Sequence, residues 1–113
     1  MNENNLHKGI ALLIENNPYL RTIFQNELLK MGYRVSALGG EPKELNKYYN
    51  RKRFDLLMIN GLGEDCFNTL KEINATDTFF YSRHEKIIDE AKKKGIEVHV
   101  GIPNAKELGG ILK

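Results

Sequence analysis

Short apolar runs alternate along the chain with stretches of helical period. From Lys8 to Ile14, the run Ile10-Ala11-Leu12-Leu13-Ile14 has no polar interruption, the pattern of a strand buried on both faces of a parallel sheet. Pro18 then opens a helix with Leu20, Ile23, Phe24, Glu27, Leu28 and Met31 along a mostly apolar stripe, and Gly32 ends it. Tyr33 to Leu38 reads as a second strand. The turn Gly39-Gly40-Glu41-Pro42 leads to a short helix from about Lys43 to Tyr49, with Leu45 and Tyr48 or Tyr49 inward. Phe54 to Asn60 is the third strand.

After the Gly61-Leu62-Gly63-Glu64-Asp65 loop, a helix carries Phe67, Leu70 and Ile73 and is closed by polar Asn74-Ala75-Thr76-Asp77. Thr78 to Ser82 is the fourth strand. Glu85 to Lys94 reads as a fourth helix, with Ile87, Ile88 and Ala91 inward and Gly95 as its stop. The fifth strand is Ile96 to Val100, and Asn104 caps a last helix from Ala105 weakened by Gly109-Gly110. This βαβαβαβαβα order, with right-handed crossovers, predicts a doubly wound five-stranded parallel α/β sheet in the order 2-1-3-4-5.

The chain's 113 residues fit one domain, here residues 8–113 after a disordered lead over 1–7. That lead has no apolar centre and so is not a secretory signal. No apolar stretch reaches the roughly 20 residues of a membrane span, so a cytoplasmic protein is expected. Cys66 is the single cysteine, which excludes an internal disulfide. A net charge of +2 does not argue for nucleic acid, and Arg51-Lys52-Arg53 and Lys92-Lys93-Lys94 fall where helices end and cations suit the dipole.

In the 2-1-3-4-5 order, the tips of the first and third strands face one crevice, where Glu15, Asn16 and Asn60 should meet. Asn60 is an amide where a carboxylate could attack a phosphoryl donor or hold a cation. Asp55 does not substitute for it, lying at the other end of the strand, roughly 16 Å away at about 3.3 Å per residue. Ser82 and His84 suggest a nucleophile and base, but without a third partner their spacing sets no geometry. Gly61-Leu62-Gly63 is too short for a phosphate cradle, and Glu64 and Asp65 read as solvent-facing or capping residues.

Over residues 8 to 113 the sequence resembles the receiver domain of two-component response regulators. The resemblance rests on Leu12-Leu13-Ile14-Glu15-Asn16-Asn17-Pro18, Phe54 to Asn60, Phe79-Phe80-Tyr81-Ser82 and Gly95 to Pro103. It implies a flavodoxin-like fold in which Glu15 keeps the first acid of the family's site, Asn16 replaces the second and Asn60 replaces the phosphoacceptor. Ser82 keeps a hydroxyl, Ile102 replaces a lysine and Pro103 remains. The implied protein is a degenerate, non-phosphorylated pseudo-receiver: no catalytic residue, metal or cofactor, no nucleic-acid contact, and a regulatory role in signal transduction. Its protein partner or second copy would meet helix four, strand five and helix five, around Lys86, Ile87, Glu90, Lys94, His99 and Leu108. His99 stands where the family has a strand-five aromatic that moves with the strand-four hydroxyl. Two other readings are a small-ligand module with Ile102, Leu62 and Pro103 in its pocket, and an atypical phosphorylatable regulator.

Overall fold

The computed structural model describes residues 8–40, 42–48, 53–63 and 65–112. The lead over 1–7, Glu41, Tyr49, the Arg51-Lys52 pair and Glu64 lie outside the described residues. The elements are β1 (Gly9–Ile14), α1 (Pro18–Lys30), β2 (Tyr33–Leu38), α2 (Pro42–Asn46), β3 (Phe54–Asn60), α3 (Asp65–Glu72), β4 (Ala75–Ser82), α4 (Glu85–Lys93), β5 (His99–Val100) and α5 (Ala105–Ile111). The strands are parallel and ordered β2-β1-β3-β4-β5, as the sequence pattern requires.

Side chains alternate across the sheet and build a core on each face. Ala11, Leu13, Leu56, Met58, Phe79 and Tyr81 meet Phe24 and Leu28 of α1 and Leu108 of α5. On the other face, Leu12, Ile14, Leu57, Ile59 and Phe80 meet Leu45 of α2, Cys66 of α3, Ile73 just after it, and Ile87 and Ala91 of α4. The central strands β1 and β3 are covered on both sides, which is why their sequences read as continuous apolar runs. At the foot of the sheet, Ile10 N–H donates to Asp55 Oδ2 at 2.8 Å. Gly9 sits beside this contact at φ +114°, and a Cβ there would collide with the Asp55 carboxylate. Asp55 thus ties β3 to β1, at the end opposite Asn60.

Three boundaries differ from the sequence pattern. β4 begins at Ala75, three residues before Thr78, because Phe54 and Leu56 pair with Ala75 and Asp77. Thr76, Asp77 and Thr78 are exposed, so their polarity does not oppose a strand whose backbone is paired on one side. β5 is reduced to His99–Val100. Gly95 at φ +73° closes α4 by sending the Ile96 N–H to Ala91 O at 2.8 Å, and this commits Ile96 to the helix end instead of the ladder. Ile96 and Val98 still pack on the core. α2 ends at Asn46, and α5 forms despite its two glycines because Asn104 and Glu107 make a reciprocal capping box.

Candidate functional site

β1 and α1 meet in a turn built around Glu15. Its carboxylate is wholly buried, and its Oε2 accepts from Asn17 N–H at 3.0 Å. Asn17 in turn caps α1, its Oδ1 accepting from Tyr19 and Leu20 N–H at 2.9 and 3.1 Å. Arg21, one turn into the helix, donates from Nη1 to the Glu15 carbonyl at 2.9 Å, not to its carboxylate. Among the described residues no ion pair to the Glu15 carboxylate forms; neutral hydrogen-bond donors stabilise it instead.

The other donors come from the tips of β3 and β4. Asn60 Nδ2 donates to Glu15 Oε1 at 2.9 Å, and Tyr81 O–H donates to the same oxygen at 2.7 Å. Asn60 and Tyr81 are register partners across β3 and β4, so the sheet itself sets them side by side. Phe79 stacks on the Tyr81 ring at 5.5 Å between centroids, and Phe24 meets it edge-on at 5.7 Å. Burial, reinforced by the Glu15 charge and its hydrogen bond, pushes the Tyr81 hydroxyl far above the ordinary phenol range, so it remains a donor.

The sequence correctly brings Glu15 and Asn60 together. Asn16 is exposed beside them, Ile102 packs against the α1 and α5 core, and Pro103 is buried. Ser82 is committed to structure: its Oγ donates to Gly61 O at 2.6 Å and accepts from His84 N–H at 3.1 Å. Tyr81 was not anticipated, since it sits in an apolar run and its partner lies 66 positions away. The available signal was parity: Tyr81 stands opposite Asn60 in a parallel pair.

The cluster does not fit a divalent cation. Glu15 Oε1 already accepts two hydrogen bonds and Oε2 a third, while Asn60 and Asn16 add no charge. Among the described residues, no group of three or more His, Cys, Asp or Glu side chains could hold a metal ion. Cys66, buried in α3, has its thiol pushed up to about 11, chiefly by burial and then by neighbouring Asp65, which makes it an inert core residue.

The surface expected to contact partners is not one face. Ile87 and Leu108 belong to the two cores, at 5% and 0% exposure, so neither can anchor a surface contact. Lys94 is turned toward α3: its Nζ lies 3.3 Å from Glu90 Oε2 and 5.5 Å from the centre of the Phe67 ring. A groove of about 690 Å³ runs there, lined by Leu62, Phe67, His84, Lys86 and Glu90 among others. It is larger than the crevice beside Asn60 but holds none of the clustered polar groups. His99 packs its ring on Phe79 at 5.5 Å, away from that groove.

Compared with solved structures, the chain is similar to a CheY-like response regulator receiver domain from Methylobacillus flagellatus. The TM-score is 0.68 at 16% identity, over 91% of this chain and 94% of that one. The chain has the receiver fold. No protein-family model matches the sequence, and no curated protein does. Within the receiver fold, the Glu15, Asn60 and Tyr81 cluster occupies the carboxyl edge of the sheet, where doubly wound folds place their ligands. No helix among the described residues is long and apolar enough to cross a membrane.

Proposed function

We propose that this chain is a pseudo-receiver, a cytoplasmic regulatory module of signal transduction that acts through protein contacts without phosphotransfer or other catalysis. The observation that carries this reading is the hydrogen bond from Asn60 Nδ2 to Glu15 Oε1. The group at the phosphoacceptor position is an amide without a nucleophilic carboxylate, and it is used as a donor to the acid that would otherwise face a metal. Ile102 supplies no cation to balance a phosphoryl group, and Ser82 is held between Gly61 and His84. The partner is a protein or a second copy of the chain. Exposed Lys86 and half-buried Glu90, which line the α3 groove, with Lys94 paired to Glu90, offer one charged contact, and His99 with exposed Val100 on β5 offers another.

Acetyl phosphate with Mg²⁺ tests the reading directly. The intact mass of freshly prepared protein should not change. A hydroxylamine-sensitive mass gain of one phosphoryl group that disappears in Asn60→Ala would overturn it.

A further inference from the structure

Asn60-Gly61 is the chain's one asparagine followed by glycine. A glycine leaves its backbone nitrogen unshielded and free to swing, so an open chain can attack its own side-chain amide there. Glycine is nonetheless imposed at 61: a Cβ would stand 2.6 Å from the Phe80 ring and 2.8 Å from the Ile87 side chain, both in the core. Packing thus creates the reactive pair, and hydrogen bonds quiet it. Asn60 is 6% exposed, and its Nδ2 is held on Glu15 Oε1. The attacking nitrogen is occupied too, since Gly61 N–H donates to Tyr81 O at 2.7 Å, and Ser82 Oγ fixes the residue again by donating to Gly61 O at 2.6 Å. Asn60 also ends the paired strand β3, whose extended backbone must turn before a five-membered ring can close.

We infer that Asn60-Gly61 is a self-modification site gated by the sheet edge: while the β3 and β4 tips are closed the amide is kept, and when they open Asn60 is converted to Asp or isoAsp. In the opened chain a water-borne base takes the Gly61 N–H proton and the nitrogen bonds to Asn60 Cγ. The Cγ–Nδ2 bond breaks, and ammonia leaves with a proton from water. Water then opens the resulting succinimide at either carbonyl. Asparagine and one water thus become a carboxylic acid and one ammonia, with no redox change. Neither product refits the closed edge. Aspartate puts a second carboxylate against Glu15 Oε1, and isoAsp adds a methylene to the main chain where Asn60 pairs with Tyr81. Reclosing is disfavoured, and the modification makes a transient opening permanent.

The test holds the full chain at pH 8 in water enriched in heavy oxygen, with and without guanidinium chloride, and maps the peptide spanning Asn60 by mass. In denaturant Asn60 should convert ahead of every other asparagine, with solvent oxygen in both Asp and isoAsp. The native chain should convert at least about tenfold more slowly. Ser82→Ala removes the bond to Gly61 O, and Tyr81→Phe removes a donor to Glu15. Each should speed native conversion at least about threefold and leave the rate in denaturant unchanged. Returned to native buffer, the converted chain should exchange its Gly61 amide hydrogen at least about tenfold faster than the parent. The inference is overturned by native conversion as fast as in denaturant, by folded variants that convert no faster than the parent, by another asparagine reacting first, or by a converted chain whose Gly61 amide is as protected as the parent's.

Discussion

Replacing Asn60 with Asp restores the acid expected at the end of β3, yet the structure predicts a destabilised domain. The substitution removes the 2.9 Å charge-assisted bond from Nδ2 and places a second carboxylate oxygen against buried Glu15 Oε1. Two unit charges at about that separation repel by roughly 6 kcal/mol at an effective dielectric constant of about 20. Keeping one proton on the pair at pH 7 costs less, about 4 kcal/mol from a reference pKa near 3.9, so the pair retains that proton. The restored O–H···O bond offsets part of this cost, leaving a loss of about 3–4 kcal/mol. The folded variant binds a proton the unfolded chain has released, so its stability falls as pH rises from about 4 to 7, by about 1.4 kcal/mol per unit. Urea denaturation of parent and Asn60→Asp at pH 5 and pH 7 measures this directly. The stability gap should widen by about 2–3 kcal/mol between the two. A gap equal at both pH values, or no gap, would refute the assignment of Glu15 as a buried carboxylate held by Asn60.

Tyr81→Phe, which removes only the hydroxyl, should cost about 1.5–3 kcal/mol in the same denaturation measurement, because a buried carboxylate loses one of its donors. Asn60→Asp alone should accept little phosphate from acetyl phosphate, and adding Asn16→Asp and Ile102→Lys should raise labelling; equal labelling would show the crevice to be wrongly assigned. Cys66, buried and with its thiol pushed up to about 11, should resist a thiol-specific disulfide reagent at pH 8 in native buffer and react promptly in urea. Lys86→Glu with Lys94→Glu should weaken self-association or partner capture in a pull-down without unfolding the domain, and Asn60→Ala should leave that capture unchanged; the reverse pattern would move function to the crevice.

The apolar runs of β1 and β3 made the sheet legible because both strands are covered on two faces, and alternation with helices then determined the order. β4's polar beginning was hidden, since Thr76 and Thr78 are exposed and only their backbone pairing makes them strand. β5 was overread because Ile96 carries strand-like chemistry but its N–H closes α4. At the site, Glu15 and Asn60 could be placed from strand ends alone. Tyr81 could not, because no local pattern distinguishes a core tyrosine from one whose hydroxyl reaches a carboxylate on another strand. The helical pattern already turns Ile87 inward, as the structure has it; only the partner face implied by the resemblance put Ile87 and Leu108 on a surface, against their apolar character.

The Ser82 hydroxyl joins two segments, donating to Gly61 on one and accepting from His84 on the other. Gly61 N–H also donates to Tyr81 O at 2.7 Å, so the chain leaving β3 and the chain leaving β4 are fastened at two points, and the His84 bond folds the second chain back on Ser82. A partner seated where Leu62 and His84 border the α3 groove meets a rim assembled in advance and has little loop entropy to remove. Association there should show single-phase kinetics without a slow closing step, and substitutions along the rim should act mainly on the lifetime of the complex.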